Sequence, residues 1–153
     1  MRQERIGKNR PRTDRPLVRI SEILLVDDNP ASARLLREAL KDGLVRCRVT
    51  AVEDGERALA LLRGEGAYTL AVRPDLILLD LNLPKINGHE LLATLKADPT
   101  LRSIPVIILT TSQAEEDKAL SYLLGADRFL VKPKTWDGYQ RVIKTIVTLL
   151  ARM

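Results

Sequence analysis

The stretch Leu76-Ile77-Leu78-Leu79-Asp80 decides the fold. Four consecutive aliphatic residues with no polar alternation describe a strand buried on both faces, as in the centre of a parallel sheet covered by helices. An Asp at the carboxyl end of such a strand leaves the core where open α/β sheets place their ligand sites. The residues that follow, Leu81-Asn82-Leu83-Pro84 up to Gly88, are loop-forming, punctuated by Pro and Gly. Asp80 is therefore expected at the mouth of a crevice, with a rigid strand below it and a loop beside it.

Working outward, strand and helix signals alternate from Ser21 onward. Ile23 to Val26 is aliphatic and ends in Asp27-Asp28. Asn29-Pro30 supplies an N-cap and a first-turn proline for a helix carrying Leu35, Leu36, Ala39 and Leu40, which Gly43 ends. Val45 to Val52 alternates like a strand near a sheet edge, and Asp54-Gly55 opens a second helix. The connection from Gly64 to Pro74 is long for such a unit. A helix from about Glu90 to Ala97 follows the central strand. Val106 to Leu109 is a second fully apolar strand, ending in Thr110-Thr111-Ser112. Glu115, Glu116 and Asp117 begin a helix that stops at Gly125, as helix-dipole and C-cap rules require. Phe129 to Val131 is a short strand ending at Lys132-Pro133, and a last helix spans about Trp136 to Ala151. Five β/α units predict an α/β, doubly wound parallel sheet with helices on both faces.

The chain has 153 residues, enough for one domain with its own core. Its single cysteine, Cys47, excludes an internal disulfide and fits a reduced, cytoplasmic setting as a small hydrophobe of the second strand. No apolar run reaches membrane-spanning length. The net charge of +5 resides in residues 1–20, where seven basic residues face two acidic ones; the remainder carries 18 of each sign. That basic tail, without periodicity or apolar mass, is expected to be disordered and solubilising, and residues 21–153 to form the domain, with no output domain. Nucleic acid is therefore not an expected partner, nor is a membrane.

Four apolar strands each end in a chemically useful residue: Asp27-Asp28, Asp80, Thr110 and Lys132. Parallel strands bring all their carboxyl ends to one edge, so these residues should converge. Taken singly each has a plainer reading: a helix-capping acid pair, a turn residue, a structural hydroxyl, a solvated strand end. Four together reverse that preference. Three carboxylates in one crevice repel at roughly 4 kcal/mol per pair, at 4 Å and a dielectric near 20. Such a group either raises a pKa or takes a divalent cation, and an all-oxygen, partly open site without His or Cys suits Mg²⁺. Lys132 adds a compact positive charge for phosphate, and Thr110 a hydroxyl donor. The set describes a site for placing a phosphoryl group on Asp80.

From Ser21 to about Leu150, through ILLVDD, LILLDLNLP, IPVIILTTS and FLVKP, the chain resembles response-regulator receiver domains of two-component signalling. The long Gly64–Pro74 connection and the phrases RPDLILLDLNLP and IPVIILTTSQAEED are most similar to stand-alone regulators serving bacterial phytochrome kinases. The resemblance implies a flavodoxin-like sheet of order 2-1-3-4-5 and a phosphoacceptor at Asp80 that takes its phosphoryl group from a sensor histidine kinase. It implies Mg²⁺ held by Asp28, Asp80 and the Asn82 backbone carbonyl, with Asp27 acting through water. Thr110 and Lys132 would hold phosphoryl oxygens, and Asn82 and Ser112 would tune the phosphoryl lifetime. A cis Lys132–Pro133 bond is implied too. Thr110 and Phe129 would form the switch: as Thr110 moves toward the phosphoryl group, the Phe129 ring turns inward. The face of the fourth helix, fifth strand and fifth helix changes in response. The protein would then be no enzyme in the ordinary sense, but a phosphoacceptor taking part in its own phosphorylation and dephosphorylation.

A haloacid-dehalogenase-type phosphatase is the enzyme alternative, but it requires a second Asp two residues after the nucleophile, where this chain has Asn82. A phosphorylation-independent binding module would not need the full acid, Thr110 and Lys132 set. No G-x-G-x-x-G follows the first strand, which argues against a nucleotide oxidoreductase. His89, lacking a companion ligand, is expected on the surface, and Trp136 and Tyr139 as packing residues. The last helix carries Tyr139, Val142, Ile143, Ile146, Val147, Leu149 and Leu150, an arc wider than one core-facing stripe. Its surplus is expected to pair two copies through the fourth-strand, fifth-strand and fifth-helix side.

Overall fold

A computed structural model describes residues 19–41, 43 and 45–152. The basic tail up to Val18, with its expected disorder, lies outside the described residues. Five strands, β1 (Ser21–Val26), β2 (Cys47–Val52), β3 (Leu76–Leu79), β4 (Val106–Thr110) and β5 (Arg128–Val131), alternate with five helices. These are α1 (Pro30–Leu40), α2 (Gly55–Arg63), α3 (Gly88–Ala97), α4 (Glu115–Leu123) and α5 (Trp136–Ala151). All strands pair in parallel in the order β2-β1-β3-β4-β5. The flavodoxin-like 2-1-3-4-5 expectation holds.

Side-chain alternation sorts the sheet into two cores. Leu24, Val26, Ile77, Leu79, Val106, Ile108 and Phe129 meet α2 and α3 on one face. Ile23, Leu25, Leu76, Leu78, Ile107 and Leu109 meet α1 and α5 on the other. All four β3 residues are fully buried, and each stabilises the fold by about 1.5–3 kcal/mol relative to exposure. β2 lies at the edge and buries Val49 and Val52, with Cys47 partly covered against the α1/α5 core.

Local rules set the helix starts. The Asn29 side chain accepts from the Ala31 amide ahead of Pro30, and Asp54 accepts from the Arg57 amide. Asn87 and Glu90 form a reciprocal capping box that starts α3 at Gly88, two residues earlier than the apolar pattern suggests. β2 begins at Cys47 rather than Val45.

Three expectations are corrected. The Lys132–Pro133 bond is trans, the isomer ordinarily favoured for this pair by about 0.5–1 kcal/mol. The proline ring seats over Gly138, where a Cβ would lie 2.4 Å from Pro133 Cβ. Trp136 is 45% exposed rather than packed, because it opens α5 ahead of the buried Tyr139. On α5 itself, Val142, Ile143, Ile146 and Leu150 are buried, and Val147 and Leu149 pack at the margin of the same core. The apolar arc is thus largely consumed within one copy, because α1 and α5 together cover a whole sheet face. No helix among the described residues is long and apolar enough to cross a membrane.

Candidate functional site

The parallel ladder makes neighbours of the two strand-end acids. Val26 pairs with Leu79, and the ladder runs one step past the strands: the Asp80 amide donates to the Val26 carbonyl and the Asp27 amide to that of Val52, each at 3.0 Å. On the other side the Lys132 amide donates to the Thr110 carbonyl at 2.7 Å. Continuing the alternation, Asp27 and Lys132 fall on the α1/α5 side with Asp80 between them, while Thr110 falls on the side of Phe129.

One carboxylate oxygen from each of Asp27, Asp28 and Asp80 lies within 4.8 Å of the others. Asp27 and Asp80 are buried, and Asp28 is exposed at the entrance. The outer oxygens are engaged locally: Asp27 Oδ1 accepts from the Asn29 amide at 2.9 Å, and Asp80 Oδ1 from the Asn82 amide at 3.1 Å. The remaining oxygens face one cation. Lys132 Nζ lies 2.7 Å from Asp27 Oδ2 and 3.0 Å from Asp80 Oδ2. Burial works against that ammonium, but the two carboxylates outweigh it and hold its pKa above the ordinary lysine value.

Three negative charges thus face one positive charge. Asp27 Oδ2, although close to the ammonium, is buried without a directed hydrogen bond. An all-oxygen donor set with surplus negative charge and an orphaned buried oxygen fits a hard divalent cation. A crevice of about 370 Å³ opens beside the set, between Asp27, Asp28, Pro30, Arg37 and Glu53. Another of the same volume lies under the α2–β3 connection, by Glu22, Arg48 and Tyr68, but gathers no comparable chemical group.

Thr110 is fully buried, its hydroxyl oxygen 3.3 Å from the Ser112 amide. The Ser112 hydroxyl turns to Asp117 Oδ2 at 2.5 Å, tying the β4–α4 loop to the first turn of α4. The Phe129 ring lies within the α2/α3 core, and its amide donates to the Tyr122 hydroxyl at 3.1 Å. Asn82 is exposed beside Asp80.

His89 departs from its expected place. It is half-buried, with Nε2 3.0 Å from Ser121 Oγ and 3.3 Å from the Asp117 carbonyl. Ser121 already donates its own proton to that carbonyl at 2.7 Å, so Nε2 carries the hydrogen in this bridge between α3 and α4. Nothing local in sequence marks the pair, which are 32 residues apart.

Sequence reading also missed Asp54 and Lys85. Asp54 is buried, and the Lys85 ammonium, across the β3–α3 loop, lies 3.5 Å from its Oδ2.

A family model described as the response regulator receiver domain matches residues 23–144. Response regulator Rcp1 from Synechocystis is 42% identical over 124 residues, spanning 81% of this chain and 84% of that protein. A probable methanogenesis regulatory protein, FilR2, from Methanothrix harundinacea is 38% identical over 126 residues, covering 81% and 79% respectively. Among solved structures, the phosphorylated cyanobacterial phytochrome response regulator RcpA superposes with a TM-score of 0.78 at 47% identity, covering 84% of this chain and 91% of that one. The Mn²⁺-bound form of Rcp1 gives 0.76 at 41%, covering 82% and 91%.

Proposed function

The chain belongs to the response regulator receiver domain family, homologous to the phytochrome response regulators Rcp1 and RcpA, and on that premise we propose that it accepts a phosphoryl group on Asp80 from a phytochrome-type sensor histidine kinase. The observation that carries this reading is the convergence of Asp27, Asp28 and Asp80 around the Lys132 ammonium.

Magnesium would be held by Asp28, Asp80 and the Asn82 backbone carbonyl, with Asp27 acting through water; when bound, it neutralises charge developing on the transferred phosphoryl oxygens. Asp80 supplies the nucleophile. A carboxylate oxygen attacks phosphorus as the bond to the kinase's histidine nitrogen breaks; that nitrogen keeps the electron pair and later takes a proton from water. Lys132 and the Thr110 hydroxyl would hold two phosphoryl oxygens. The new acyl phosphate is lost to water, and Asn82 and Ser112 flank that path and tune its lifetime. Ser112 does so only when its hydroxyl leaves Asp117.

Phosphorylation adds about −1.5 to −2 charge. It draws on Thr110, which shares a sheet face with Phe129, and so biases the α4-β5-α5 face. The Phe129 ring is buried in the α2/α3 core, and the switch acts on how firmly the ring is held there. This signalling takes place in the cytoplasm, with neither nucleic acid nor membrane as partner. Incubation with Mg²⁺ and a small phosphodonor such as acetyl phosphate is expected to add one phosphate mass, and excess EDTA to prevent it. A protein unchanged in mass under both conditions would sink the reading.

Exposed apolar residues on the α4-β5-α5 side support pairing of two copies there: Leu120, Tyr122, Leu123, Val131 and Trp136, with Leu123 at 81% exposure. Because α5 has little apolar surface to spare, these side chains and not its core stripe would form the contact. Sedimentation equilibrium at micromolar concentration should give a dimer, and Leu123→Lys a monomer. A wild-type monomer, phosphorylated or not, removes the proposal.

A further inference from the structure

We propose that Lys85 is a positioning residue for metal-dependent phosphoryl transfer, holding the β3–α3 loop in the shape that presents Asn82 to the three carboxylates. The inference rests on the reading above, in which the Asn82 carbonyl completes the cation site.

Lys85 has φ +68°, the one positive φ of a non-glycine residue among the described residues. An L side chain persists there only where its surroundings over-determine it. The loop is closed at its base by the Gly88 amide donating to the Leu81 carbonyl at 3.0 Å. A Cβ on Gly88 would lie 2.5 Å from the Asp80 carbonyl oxygen and from Leu81 Cα, so the end of the loop abuts the phosphoacceptor's own backbone. At its outer turn the loop leans on α2: Ile86 packs over Gly55, where a Cβ would lie 3.0 Å from Ile86 Cβ. The Lys85 ammonium then reaches Glu56 Oε1 at 3.3 Å and Asp54 Oδ2 at 3.5 Å.

Asp54 is a firm anchor. It is buried and already caps α2 by accepting from the Arg57 amide at 2.8 Å. Burial raises its pKa, but the Arg57 amide and the Lys85 charge prevail and hold the carboxyl below its usual range. Asn82 lies between the two fixed points, its amide on Asp80 Oδ1. Glycine would take this φ without strain but could not supply the ammonium. The side chain, not the backbone, is therefore the reason for a lysine here.

The test measures Mn²⁺ binding to the full, metal-free chain by electron paramagnetic resonance, alongside thermal denaturation, for wild type, Lys85→Gly and Lys85→Arg. Lys85→Gly is expected to bind Mn²⁺ about fivefold more weakly, the upper range for a partly exposed ion pair. Its Tm should stay close to that of wild type, because relief of the left-handed backbone offsets the lost ion pairs. Lys85→Arg should bind like wild type. Equal affinity in wild type and Lys85→Gly overturns this inference alone, as does a loss accompanied by a lower Tm or shared by Lys85→Arg. A wild type that binds no Mn²⁺ overturns it together with the cation reading; phosphate uptake by that same protein would still leave Asp80 as phosphoacceptor.

Discussion

Asp80→Asn is expected to take up no phosphate from acetyl phosphate in Mg²⁺, a fall of at least about a thousandfold, because the amide cannot act as the nucleophile. The variant should still fold. Lys132 keeps Asp27 as a partner at 2.7 Å, and one of three mutually repelling charges is gone. The extra thermal stability that Mg²⁺ gives the wild type should shrink, since a ligand oxygen has lost its charge. Intact-mass spectrometry and a melting curve with and without Mg²⁺ decide both points. Phosphate on the variant would move the acceptor elsewhere and remove the strand-end account.

Lys132→Met is expected to cost the metal-free protein about 3–5 kcal/mol at pH 7, the penalty for leaving buried carboxylates without their counter-charge. Asp27 Oδ2 and Asp80 Oδ2 would then face each other across the space the ammonium held. Millimolar Mg²⁺ should return much of that loss, because a divalent cation replaces the missing charge and binds only the folded state. The pH dependence follows from linkage. The Lys132 pKa is raised on folding, so its contribution is complete below the unfolded value of 10.5 and disappears as pH rises through the higher folded value. The gap between the two proteins should therefore narrow as pH rises through the folded Lys132 value. Urea denaturation in EDTA across pH measures it; equal stability at pH 7 would mean that Lys132 is not the counter-ion.

The part of the site that sequence made legible is the part the parallel ladder dictates. Asp27, Asp80 and Lys132 follow aliphatic runs, and alternation with helices leaves parallel pairing as the economical topology. Once Val26 meets Leu79, the two acids are adjacent without further information. Side-chain orientations inside loops are another matter. That the Ser112 hydroxyl seeks Asp117, that His89 bridges to Ser121, and that Lys85 adopts a left-handed backbone to reach Asp54 each depend on elements brought together by the fold from separate stretches. Periodicity cannot report them. The α5 arc misleads for a related reason: hydrophobic width says how much must be covered, but not that α1 and the sheet cover nearly all of it. The exposure of Trp136 likewise follows from where α5 begins, ahead of the buried Tyr139.

The rim and its neighbouring helix differ sharply in how firmly they are attached. Main-chain bonds continue beyond the strands to Asp27, Asp80 and Lys132, so this edge resists deformation. α4, by contrast, contributes only Ser121 to the buried interior and starts at Ala114 without a side-chain cap. A perturbation arriving at so stiff an edge is relieved where displacement costs least. Helix α4 is held chiefly by polar side-chain contacts, from Ser112, His89 and the Phe129 amide, so its attachment is separable from the apolar packing that holds the sheet.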